Sequence, residues 1–126
     1  MAGTLVANTI NTDTGLFSTN NAYLGIAKAW VQLNNTVTNG TIAGSFNVSS
    51  VTFNANGDYT INFTTAMPNA NYCAVGSNSL SGGNSYNYLS MFCSSSANQA
   101  PTTTNFRVAS SANLNSIYMC IAVYSS

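Results

Sequence analysis

From residue 26 onward, short apolar runs separated by turn-forming residues recur at a spacing of roughly 8–12 residues, the rhythm of an antiparallel β-domain. The clearest run is DYTINF (58–63), with Tyr59, Ile61 and Phe63 on one parity and Thr60, Asn62 and Thr64 on the other. Strict alternation of this kind predicts a strand with one buried face. Asn56-Gly57, just before it, supplies residues that tolerate the φ > 0 positions of a tight hairpin. The other arm of that hairpin is SFNVSSVTF (45–53), in which Phe46 and Val48 share one parity and Val51 and Phe53 the other. The switch at Ser49-Ser50 predicts a β-bulge, because one inserted residue re-aims every side chain after it.

Four further runs read as strands: IAKAWVQL (26–33), NYCAVGS (71–77), YNYLSMFC (86–93) and TTNFRVAS (103–110). In the last of these Phe106 and Val108 should point inward and Arg107 outward. The closing run NSIYMCIAVYS (115–125) is apolar on both parities. It predicts a central strand, or one whose outer side another subunit covers. Trp30, in the middle of its run, is expected in the core, with subunit packing and ligand stacking as the other placements. Seven such strands predict an all-β fold, an antiparallel two-sheet β-sandwich. Residues 1–25 differ: apolar pairs such as Leu5-Val6 and Leu16-Phe17 are isolated, and no period of 2 or 3.6 persists. The division expected is an extended N-terminal docking arm over 1–25, ordered by a partner surface, and a β-sandwich domain over 26–126.

Composition narrows the function sharply. The chain has 126 residues, the length of one domain. Its four charged side chains are Asp13, Lys28, Asp58 and Arg107; Glu and His are absent. Asn, Ser and Thr fill 52 positions, yet Leu, Ile, Val and Phe number 27 and seven Tyr join them, enough for a packed core rather than a disordered chain. Two cations neutralise at most two phosphates, a salt slope of roughly −1.8, so nucleic acid is not an expected partner. No apolar run reaches 18 residues and no basic-then-apolar leader occurs, so neither membrane insertion nor a signal peptide is expected.

The chemistry of catalysis is missing too. General acid–base work at neutral pH relies on His or on paired carboxyls, and the two carboxyl side chains sit in the arm and at a hairpin. There is no G-x-S-x-G and no phosphate-cradling loop, and three cysteines without His cannot close a four-ligand zinc site. No enzyme activity, metal or cofactor is implied. Cys73, Cys93 and Cys120 lie in apolar runs and are expected to be buried free thiols, a bridge from Cys93 to Cys73 or Cys120 being the other reading. Lys28 and Asp58 are candidates to pair across neighbouring strands. The loop SNSLSGGNSYNY (77–88) has the Ser, Gly, Asn and Tyr mixture of recognition loops, and Asn78, Asn84, Tyr86, Asn87 and Tyr88 are its candidate ligand-binding residues.

The strings AKAWVQLNN (27–35), SFNVSSVTFNANGDYTINFTTAMPNANYCAVG (45–76) and IYMCIAVYS (117–125) carry a resemblance. They resemble small β-rich, tail-fibre-like virion surface proteins of tailed bacteriophages, notably phages of aquatic bacteria, over about half of the chain. GDYTINFTTAMPNANY (57–72) is the most specific part. The resemblance implies a non-enzymatic virion structural protein, commonly a homotrimer, assembled in the host cytoplasm. It would be a short fibre or knob on the particle surface that contacts a host-surface glycan or protein, with residues 1–25 holding it to other virion proteins. A capsid decoration protein that cements the head shell suits the same arm-plus-domain layout.

Overall fold

The computed structural model describes residues 3, 9–12, 15–18, 25–36, 38–79, 88–110 and 116–125. Among the described residues the fold is all-β, and the strands form one antiparallel pair and two antiparallel four-stranded sheets. The pair joins β1 (Thr9–Thr12) to β2 (Gly15–Ser18) as a sheet of its own, within the segment expected to be an extended arm. The first large sheet has the order β4-β3-β10-β7, from β3 (Ala29–Asn34), β4 (Ile42–Phe46), β7 (Cys73–Asn78) and β10 (Tyr118–Tyr124). The second has the order β5-β6-β9-β8, from β5 (Val48–Ala55), β6 (Asp58–Phe63), β8 (Leu89–Met91) and β9 (Asn105–Ser110).

The two large sheets hold eight strands because the run expected as one bulged strand over 45–53 is two. Asn47 breaks it with φ of 52°, the left-handed region that Asn tolerates better than most side chains. The chain leaves the first sheet at Phe46 and enters the second at Val48. The Asn47 amide secures this corner: its Nδ2 donates to the carbonyls of Lys28 and Thr65, both at 3.1 Å, and its Oδ1 accepts from the Thr65 amide at 2.7 Å. The expected irregularity at Ser49 is present as well, as a register shift between Val48 and Ser50 in the β5–β6 pairing. At the β5–β6 turn, Gly57 takes the positive φ of 71° that the sequence anticipates.

Alternation fills the core. Tyr59, Ile61 and Phe63 of β6, and Phe106 and Val108 of β9, are buried, as their parity predicts. Val31 and Leu33 of β3 and Met119, Ile121 and Val123 of β10 belong to the same buried cluster. β10 is indeed a central strand, paired on both sides. Phe63, Tyr72, Phe92 and Phe106 pack with ring centroids 5.7–5.9 Å apart, mostly edge to face, the arrangement that opposes positive ring edges to negative faces. Burial pushes the hydroxyls of Tyr59 and Tyr72 up to about 12. Gly76 allows β7 to lie close to its neighbours: a Cβ there would stand 2.6 Å from the Cys120 carbonyl and 2.8 Å from Met91 Cε.

Candidate functional site

The candidate binding loop is placed only at its ends. Tyr88 precedes β8 and is 66% exposed. Asn78 ends β7 and donates to Ser116 Oγ at 2.9 Å, so its amide serves the fold. Asn84, Tyr86 and Asn87 lie outside the described residues.

The charges are more informative. Asp58, at the start of β6, is fully buried beneath a bidentate pair with Arg107: Nε reaches Oδ1 at 2.6 Å and Nη2 reaches Oδ2 at 2.8 Å. The Ser95 amide donates to Oδ2 at 2.9 Å and Asn54 Nδ2 to Oδ1 at 3.3 Å. Burial alone would raise the Asp58 carboxyl, but hydrogen bonds from Arg107, Ser95 and Asn54 outweigh it and hold the group below its ordinary value. Both carboxylate oxygens are thereby committed to structure, which leaves none to take a proton from a substrate. Of the two readings of Lys28 and Asp58, a cross-strand pair or two solvated charges, the pair does not form, because Lys28 adjoins β3 in the other sheet and Arg107 takes the carboxylate. Arg107 does point outward as its parity predicts, but toward this carboxylate and not free into water. Thr60 and Arg107 are opposite each other in the β6–β9 register, which brings a cation 49 residues away onto the Asp58 side of the sheet. No spacing in the sequence marks that pairing.

Trp30, expected in the core, lies outside it. It is 43% exposed on the outer side of β3, because Ala29, Val31 and Leu33 take the inner parity. Its indole lies over Gly44 of β4, where a Cβ would meet the ring at 3.4 Å. Cys73 and Cys120, expected to be buried, are exposed on the same outer side, and Cys93 is half-buried; all three thiols are free. The reason is again parity, since an apolar strand in a two-faced sheet must put half its side chains outside. Phe46, 54% exposed, and Val75, 49% exposed, complete an apolar outer face on β4-β3-β10-β7. A shallow groove of about 600 Å³ runs along it, lined by Trp30, Gln32, Val75, Ser77, Cys120 and Ala122. The two-sided apolar pattern of 117–124 was the signal for this face.

The outer side of the second sheet is its opposite. Asn62 Nδ2 donates to Ser50 Oγ and Thr52 Oγ1, both at 3.1 Å, and Asn54 Nδ2 donates to Thr60 Oγ1 at 2.9 Å. Among the described residues no cluster of three His, Cys, Asp or Glu side chains could hold a metal, and no helix is long and apolar enough to cross a membrane. Comparison with protein-family models, curated proteins and solved structures finds no match to this chain.

Proposed function

We propose that this chain is a non-enzymatic structural protein of a tailed-bacteriophage particle, a short trimeric fibre or knob exposed on the virion surface. In this reading the two sheets pack as an antiparallel sandwich, residues 1–25 dock to other virion proteins, and the loop around Tyr86 and Tyr88 faces the host surface. The observation that carries the structural role is the apolar outer face of β4-β3-β10-β7 on a domain with almost no charge. Such a face belongs to assemblies, since monomers rarely leave contiguous apolar area in water. The commitment of Asp58 and Arg107 to each other supports a role without chemistry. The sequence resemblance supplies the particle. An adhesin of this kind needs only weak single sites, because many copies on one particle bind together.

Quantitative mass spectrometry of purified particles of the phage encoding this chain tests the reading. A few trimers per particle is the expected result. A copy number near a multiple of the capsid lattice would assign the chain to head decoration instead, and its absence from particles would remove the virion role.

A further inference from the structure

We infer that the β1–β2 pair is stored on its own domain, in the cavity where the chain enters β3, and leaves it when a partner takes hold of the arm. The inference rests on the docking role given to residues 1–25 above and names the surface that covers them beforehand. The cavity comes first. About 440 Å³ opens at the end of the two sheets where β3 begins and β4 and β6 finish, lined by Ile26, Lys28, Phe46, Asn47, Met67 and Pro68. That volume lies within the range of binding sites. Hydrogen bonds within the domain fix its walls. The Asn47 amide ties the carbonyls of Lys28 and Thr65 together, the Lys28 amide donates to the Val123 carbonyl at 2.7 Å, and the Met67 amide donates to the Thr103 carbonyl at 2.8 Å. Met67 is buried, while Ile26 and Phe46 are more than half exposed, so the apolar lining is open from outside.

Connection and pairing select the occupant. Ile26 is both a wall of the cavity and the first residue after the arm. Residues 19–25 span at most about 25 Å, so β1 and β2 stay near that wall at an effective concentration of about millimolar. The two strands form a sheet of their own, and an isolated pair of strands is marginally stable in water, so it needs a surface to lie on. Ile10 and Phe17 are register partners, which places both on one face of the pair, with Thr12 and Gly15 two positions along. The opposite face holds Leu16 with Thr9, Asn11 and Ser18. The Ile10–Phe17 face is therefore the one that matches Ile26, Phe46 and Met67.

Charge fixes the orientation. Of the four charged side chains, Asp58 and Arg107 are committed to each other. The remaining two are opposite in sign: Lys28 lines the cavity, and Asp13 stands in sequence between β1 and β2. Seating the pair on the cavity brings them together. An exposed ion pair adds little strength, so the apolar contact does the holding and the charges set which end enters. The arm of a second copy carries the same groups but lacks the tether. A small contact of this kind is also easily displaced. A partner that covers the Ile10–Phe17 face competes with the cavity directly, and release of the arm uncovers Ile26 and Phe46 at the same moment.

Lys28 is the chain's single lysine, which makes the contact readable by a zero-length cross-link. The full chain in solution is treated with a water-soluble carbodiimide, which condenses a carboxylate with an amine to an amide with loss of water, and the products are mapped by peptide mass spectrometry. Wild type is expected to give an Asp13–Lys28 link within one chain, at a yield that holds steady between about 1 and 100 micromolar. Phe17→Ser keeps both charges and the tether, and should lower that yield about fivefold or more. Ile26→Ser changes an exposed wall of the cavity and should do the same, so it decides the matter even where Phe17→Ser fails to fold. Absence of the link, or a yield indifferent to both substitutions, would overturn the inference. A link between chains that fades on dilution would also overturn it, and would assign the cavity to the arm of a neighbouring copy. The measurement is made away from particles, so absence of the chain from virions would remove the docking partner without altering this result.

Discussion

On the outward side of β5-β6-β9-β8, Asn62 bonds to Ser50 and Thr52, Asn54 bonds to Thr60, and Arg107 closes over Asp58. On the outward side of β4-β3-β10-β7, Trp30, Phe46 and Val75 are exposed to water on a face where Gln32 and Ser77 are the polar neighbours lining the groove. Both sheets have four strands and send their inner side chains into one buried cluster. The difference is that a polar face completes itself. Amides and hydroxyls at cross-strand spacing satisfy one another or exchange with water at little cost. An apolar face has no such remedy, because only removal of its area from water lowers its free energy, at roughly 25 cal/mol per Å². In a chain with so few charges, no strong hydration elsewhere compensates for leaving that area open.

Four substitutions probe this contrast, in descending order of effect. Asp58→Ala should be the most damaging, at about 3 kcal/mol or more, because it leaves Arg107 and the Ser95 amide without their buried partner. Urea unfolding measures it; a loss below about 1 kcal/mol would show that the polar sheet is closed by other means. The pair also sets an acid limit. The folded carboxyl titrates below its ordinary 3.8, so its contribution is complete above that value and is lost as pH falls from about 4 through the lower folded pKa. Unfolding midpoints of wild type should stay level from pH 7 to about 5 and drop below 4, and those of Asp58→Asn should lack that drop.

Asn47→Ala comes next. It removes three side-chain hydrogen bonds and puts a Cβ-bearing residue with no local polar compensation at φ of 52°, where the chain passes from the apolar-faced sheet to the polar-faced one. The expected loss is about 2 kcal/mol. Asn47→Gly relieves the dihedral and should lose less, and equal losses in the two variants would assign the whole effect to the hydrogen bonds. The smallest effects come from matched changes on the two outer faces. Asn62→Ala should cost about 0.5–1 kcal/mol and leave the assembled mass unchanged. Val75→Thr, nearly isosteric, should barely alter the fold but raise the concentration at which the assembly half-dissociates, read by sedimentation. Equal responses in sedimentation would erase the distinction between the faces.

Much of the fold is legible in the sequence because it is local. The parity of DYTINF placed Tyr59, Ile61 and Phe63 inside, the parity of NFRVAS did the same for Phe106 and Val108, and Asn56-Gly57 marked a turn. These follow from a two-residue repeat and from the backbone freedom of glycine, which the chain carries wherever it goes. Composition likewise settled that the polar part of the surface is built from neutral amides and hydroxyls rather than from charges. Tertiary structure decided what no local rule contains: which parity of β3 faces the core, and hence that Trp30 lies outside; that Asn47 ends one sheet and begins another; and that Arg107 reaches Asp58 across 49 residues. It also exposed Cys73 and Cys120. A strand's pattern distinguishes its two sides, but the inner one is chosen by the neighbours that strand finds across the sheet and the core, and those neighbours are assembled only when the whole chain has folded.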